Sequence, residues 1–92
     1  MAQIAQIENR WEIAGDISMD NANALLMASS GLVILNTLVD FAKVTEIDTA
    51  AISLMLEWRR RAIAENQSLQ FVNLPANLQS LTQLYGVADL IN

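Results

Sequence analysis

The sequence predicts an α/β sandwich, and three observations carry the prediction. Apolar and polar residues alternate near the N-terminus with a strand-like period. A broad apolar stripe at helical spacing runs from Thr49 to about Glu65. Two short apolar segments, around Leu38-Val39 and from Leu69 to Val72, separate the helix patterns from one another. With 92 residues, 53% of them hydrophobic, the chain suffices for one small domain with a single core and excludes a second.

In chain order, Ile4, Trp11, Ile13 and Ile17 sit among polar residues and Glu8-Asn9-Arg10 interrupts them. The first elements therefore read as a β-hairpin whose second strand ends near Gly15-Asp16. Asp20-Asn21 is a helix-start signal, and Ala22, Leu25, Leu26 and Ser29 recur at helical spacing up to Gly31. The pattern leaves open whether that helix stops there or runs on to Leu35. Asn36 to Phe41 holds a compact apolar segment short enough to be a buried central strand.

That strand delivers the chain to Asp48. From Thr49 the stripe Ala51, Met55, Trp58 and Ala62, with Ile52, Leu56 and Ile63 beside it, makes the strongest helix pattern in the sequence. Leu69-Gln70-Phe71-Val72-Asn73 alternates after the turn-like Asn66-Gln67-Ser68 and reads as another strand. Pro75 suits the first turn of a last helix carrying Leu78, Leu81, Leu84 and Tyr85, which Gly86 ends in a left-handed conformation.

Composition narrows function. Ten acidic and five basic residues, with no histidine, give a net charge of -5, which repels phosphate backbones and anionic lipid surfaces, so nucleic acid is not an expected partner. The absence of cysteine removes disulfides, thiolate nucleophiles and Cys/His metal cages, and points to the cytoplasm as the default compartment. The N-terminus lacks the basic and continuous apolar regions of a signal peptide. The longest uncharged run, Asn21 to Val39, is too polar for a membrane span, so direct membrane insertion is not expected.

The segment from Val39 to Ala51, in which a strand pattern passes into a helix through Asp48-Thr49, is where the sequence points most directly at function. A carboxylate at Asp48 caps the following helix by accepting its first backbone amides. Thr49 is a β-branched residue at a first turn, selected for its hydroxyl, its methyl or neither. Ser53, Glu57 and Arg60 continue one helical face below it, a polar stripe with Leu54 as an apolar group beside it. Arg59-Arg60-Arg61 point about 100° apart and read as a solvated helix end rather than a phosphate patch. Trp58 reads as a core or rim residue, and Met19, Met27 and Met55 as core gap fillers. Glu46 and Asp48 lie near each other in sequence, but with no histidine or phosphate loop an enzyme is disfavoured, and no metal or other cofactor is expected.

The order of elements, together with the segment from Val39 through Asp48-Thr49-Ala50-Ala51, resembles the STAS domain family of anti-sigma-factor antagonists and their relatives over nearly the whole chain. The resemblance implies one domain spanning residues 1–92, with a mixed sheet of about four to five strands and helices packed on it. In that family the loop typically reads Asp-Ser-Ser-Gly, and the first hydroxyl after the aspartate is the phosphoacceptor. Thr49 holds that place here, while Ala50-Ala51 replaces Ser-Gly. A nearer likeness, at Ile47-Asp48-Thr49, Ile52 through Leu56 and Leu81 through Leu90, is to the STAS subunits of ABC transporters that maintain outer-membrane lipid asymmetry. It implies a cytoplasmic, non-catalytic subunit bound to the transporter's ATPase subunit and, through it, to the membrane permease. Thr49 would be its main partner-binding residue, with Asp48, Ser53 and Glu57 following from their place on the same end and face.

Overall fold

The structure, a computed structural model, describes residues 2–91. Strands β1 (Gln3–Ile7), β2 (Arg10–Ile17), β3 (Thr37–Ile47) and β4 (Leu69–Val72) form one sheet in the order β1-β2-β3-β4. The hairpin pair β1/β2 is antiparallel, whereas β2/β3 and β3/β4 are parallel, so the sheet is mixed. Each parallel pair needs a crossover, and helices α1 (Ala22–Ser29) and α2 (Ala50–Ala64) supply them. Helices α3 (Ala76–Leu84) and α4 (Ala88–Ile91) follow β4 and pack on α2. Among the described residues there are four strands, and no helix is long and apolar enough to cross a membrane.

Asparagine punctuates the chain. Asn36, Asn66 and Asn73 all have positive φ, and they stand before β3, after α2 and just past β4. Asparagine tolerates this region better than other residues carrying a Cβ, because its short polar side chain bonds locally. Gly15 does not end the second strand. With φ at +90° it sits at a register shift inside β2, and the strand continues to the fully buried Ile17. A bulge absorbs one residue without breaking the ladder, which is why a glycine that looks like a terminator is not one.

The core lies between the sheet and α2. Trp11 and Ile13 of β2, Val39 and Phe41 of β3, and Leu69 and Phe71 of β4 meet Ala51, Met55, Trp58 and Ala62 of α2. Those α2 residues are the predicted stripe, and all are buried; Ile63, expected beside it, is 70% exposed because it lies past the edge of the contact. The Trp11 and Trp58 rings meet edge to face, with centroids 5.7 Å apart. Trp58 Nε1 donates to Ser29 Oγ at 2.8 Å, and Trp11 Nε1 donates to the Val33 carbonyl at 3.2 Å.

The arginine run is not a solvated helix end. Arg61 lies over the Trp11 ring at 5.8 Å and donates to the carbonyls of Ser29 and Leu32 and to the Glu65 carboxylate. It thereby satisfies carbonyls that the end of α1 leaves open. This settles where α1 stops: at Ser29, short of both Gly31 and Leu35. Arg59 lies over Phe71 at 5.3 Å and donates to the Leu69 and Ile91 carbonyls at 2.5 Å each, tying α4 to β4. Arg60 alone faces solvent, in an ion pair with Glu57.

Asp40 of β3 is buried, a feature the sequence pattern does not signal. Between the pairs Glu12↔Asp40 and Ala14↔Lys43, β3 carries one residue more than β2. The Ala42 amide displaced there donates to Asp40 Oδ1 at 2.8 Å; Asn73 Nδ2 donates to the same oxygen at 3.0 Å, and Arg10 reaches Oδ2 at 2.9 Å. Burial pushes this carboxyl up, but the Asn73 and Ala42 hydrogen bonds and the Arg10 charge outweigh it and hold it below the ordinary carboxylate value. The contribution is therefore complete above the unfolded-state pKa of about 3.9 and is lost as pH falls through the lower folded value.

Two stability predictions follow from these contacts. Asp40→Asn is expected to be less stable at neutral pH by about 1–2 kcal/mol, and to lose less further stability than the parent on acidification below about pH 4; urea melts at several pH values measure both. Arg61→Leu keeps an apolar stem over Trp11 but strips the Ser29 and Leu32 carbonyls of their donor. It is expected to cost about 1–3 kcal/mol, with the loss of hydrogen-exchange protection concentrated at the end of α1.

Candidate functional site

The site forms where β3 hands over to α2. The Asp48 amide donates to the Ile17 carbonyl at 3.0 Å, which ends the β2/β3 ladder, and its carboxylate divides between two segments. Oδ1 accepts from the Ala50 amide at 2.8 Å, and Oδ2 accepts from the Met19 amide at 3.1 Å. Asp48 therefore caps α2, as its position predicts, and also fastens the loop between β2 and α1 to the start of α2. A carboxylate so engaged is part of the scaffold.

Thr49, the next residue, is exposed, and its hydroxyl makes no capping bond. Asp48 does the capping, which leaves the Thr49 Oγ1 free at the surface. One and two helical turns on, Ser53 is exposed and Glu57 is half-buried, its carboxylate 2.5 Å from the Arg60 guanidinium. The structure thus brings Thr49, Ser53 and Glu57 onto one face, with Asp48 directly beneath its upper end. Glu46 is exposed, and its closeness to Asp48 in sequence does not make an acid–base pair. Among the described residues no group of three His, Cys, Asp or Glu side chains is placed to hold a metal ion.

That face is one wall of an open groove of about 700 Å³ between α1, α2 and the segment following α3. Leu26, Ile52 and Leu54 make its apolar floor, while Met19 and Tyr85 stand at its rim, 78% and 56% exposed. Leu54 is thus a buried floor residue at 3% exposure, not the exposed apolar neighbour that its spacing suggests. Of the methionines read as core fillers only Met55 is one; Met27, like Met19, is exposed, and its sulfur accepts from Asn23 Nδ2 of the groove wall. Leu84 and Tyr85, which the last-helix pattern carries with Leu78 and Leu81, are both exposed, because the α3 face that meets the core is carried by Leu78 and Thr82.

Met19, Leu26 and Tyr85 are what the sequence reading missed. One signal was available: Met19 stands between Ser18 and Asp20, outside any periodic stripe, where an apolar side chain has no core to enter. Leu26 and Tyr85 give no such signal, since each sits beside a residue in phase with a buried face.

Comparison with known proteins places this geometry in context. Among solved structures the chain is similar to the anti-sigma-factor antagonist SpoIIAA in its unphosphorylated form, with a TM-score of 0.63 and 13% identity over 90% of this chain and 82% of that one. It is also similar to part of Mglu, with a TM-score of 0.62 and 23% identity over 80% of this chain but only 20% of that much longer one. At these identities the likeness concerns the fold. No curated protein sequence matches significantly. The family model described as the MlaB STAS domain matches residues 1–92, and the chain therefore belongs to the STAS domain family, in its MlaB-type branch.

Proposed function

We propose that this domain is a non-catalytic subunit of an Mla-type phospholipid ABC transporter, docking on the ATPase subunit to support its assembly or activity in outer-membrane lipid asymmetry. On this reading it is cytoplasmic and peripheral to the inner membrane, reached only through the ATPase and permease. The observation that carries the reading is the free Thr49 hydroxyl beside an apolar groove whose rim exposes Met19 and Tyr85. Apolar and aromatic anchors beside a few uncommitted polar groups are what a protein interface uses, and family membership adds support. Asp48 serves this surface by positioning it, and Ser53 and Glu57 extend it along α2.

The second reading is an anti-sigma-factor antagonist controlled by phosphorylation of Thr49. An exposed hydroxyl at the first turn of α2 and the likeness to unphosphorylated SpoIIAA favour it. A phosphate there would add charge next to the Asp48 carboxylate and desolvate poorly at an apolar rim, so modification would break an interface rather than make one.

Thr49→Ala is expected to fold with unchanged stability yet weaken co-purification with the transporter ATPase of the same genome, by about tenfold in affinity. Thr49→Glu is expected to weaken it further, because docking would bury a carboxylate at the apolar rim without a partner. Undiminished ATPase capture by both variants would remove Thr49 from the interface. Phosphate on Thr49 in the native protein, with no ATPase captured, would transfer the case to the second reading.

A further inference from the structure

The two edges of the sheet are not alike. Leu38 N donates to the Asn9 carbonyl at 2.9 Å, so the amide and carbonyl of Arg10 turn the other way, toward Ile7 of β1. Alternation then commits Gln3, Ala5 and Ile7 to β2 and turns the backbone N–H and C=O of Ile4 and Gln6 outward. Among the described residues no strand pairs that side of β1. The strand also lacks the usual protections of an edge: Ala2 to Ile7 holds no charged side chain and no proline, and its register with β2 is unbroken. The opposite edge is guarded. Thr37 N donates to the Ser68 carbonyl at 2.9 Å, which turns the Leu69 carbonyl outward, and Arg59 Nη1 occupies it at 2.5 Å.

Beside the open edge lies a cleft. Helix α1 turns Ala22, Asn23 and Leu26 to the groove of the Thr49 face, and Ala24 and Ala28, both exposed, toward β1. The space left between α1 and β1 is about 390 Å³, and its walls, which include Ile4 and the buried Leu25, carry no charged side chain. We propose that β1 takes up an extended, uncharged segment of a partner protein as a further strand, with apolar side chains at alternate positions entering this cleft. The outward groups of Ile4 and Gln6 supply the main-chain bonds, and residues two apart on the added strand fall on the cleft side. Ala24 and Ala28 leave the room those side chains need. Charge narrows the occupant, because a charged side chain in the cleft would lose water without gaining a counter-ion. A second copy fits less well: two-fold pairing of β1 would bring to the cleft a Gln6 already engaged on its own Val33, and two chains of net charge -5 repel.

The test is an amide-shift titration of the isotope-labelled domain with capped hexapeptides that alternate threonine with alanine, valine or leucine, and with a valine peptide broken by a central proline. The valine or leucine peptide is expected to shift Ile4, Gln6, Ala24 and Ala28 and to leave Thr49 and Ser53 in place, while the proline peptide, which cannot complete the ladder, shifts none of them. Ala24→Lys alters an exposed helix position, leaves β1 untouched and puts an ammonium at the cleft; it is expected to weaken binding by about tenfold or more. No shift at Ile4 and Gln6 with any peptide, equal binding of the proline peptide, or undiminished binding by Ala24→Lys would each overturn the inference. Shifts at Ile4 and Gln6 that grow with protein concentration alone would overturn it too, and give the edge to a second copy. None of the cleft residues lines the groove, so the site stands or falls separately from Thr49 and the ATPase.

Discussion

The contact between Trp58 and Trp11 is the constraint on which the rest of the molecule depends. Trp58 sits halfway along α2, fully buried, with its ring edge-on to Trp11 and its indole N–H satisfied by Ser29. That arrangement fixes three elements at once: α2 lies on β2, the end of α1 lies on α2, and Arg61 closes the remaining gap over the outer side of Trp11. A helix pinned in this way has no rotational freedom about its axis. Burying Met55, Trp58 and Ala62 therefore forces Thr49, Ser53 and Glu57 onto the opposite face, toward α1. The groove opens between the two helices, lined by Ala22, Asn23 and Leu26 of α1 on one side and by Thr49, Ser53 and Glu57 of α2 on the other.

Within the site, adjacent residues divide structural from available chemistry. Asp48 uses both carboxylate oxygens internally, one on the first turn of α2 and one on the preceding loop. Because the capping requirement is met there, Thr49 can present its hydroxyl outward without leaving helix amides unsatisfied. The same division recurs on β3, where Asp40 takes the amide that the bulge displaces and so allows a strand of eleven residues to run unbroken to the site. Two aspartates eight positions apart thus set the length of β3 and the start of α2.

The sequence made the architecture legible because its signals were local. Period-two alternation in the hairpin, the wide stripe of α2, and turn residues at Asn36, Asn66 and Gly86 each report on a few consecutive residues. The order of elements and the capping role of Asp48 followed from them, while the family rested on the resemblance of the segment from Val39 to Ala51. What was not legible depends on contacts distant in the chain. Arg59 and Arg61 look like a charged helix end until the carbonyls they reach, some ten to thirty-two residues away, are in place. Gly15 looks like a strand end until β3 pairs past it, and Asp40 looks exposed until Asn73 and Arg10 close over it. The groove rim was missed for the opposite reason: Met19 was assigned to a core by its chemistry and Tyr85 to the last helix by its spacing, and neither signal tells an apolar residue without a core position from one that has it.

Those rim residues also explain the composition. A chain of this size gains stability from each apolar side chain it can bury, yet Met19 and Tyr85 remain in solvent at the groove rim, as Met27, Leu84, Ile7, Val33, Leu35 and Ile63 do elsewhere. They add nothing to the core, and by themselves they would favour self-association. The acidic excess counteracts that tendency. Arg59 and Arg61 are drawn into internal contacts while Arg60 and Lys43 stay at the surface in ion pairs, and the -5 net charge keeps copies apart. The inward commitment of Arg59 and Arg61 helps hold α2 against the sheet, and the face that packing leaves outward is the one carrying Thr49 and the groove.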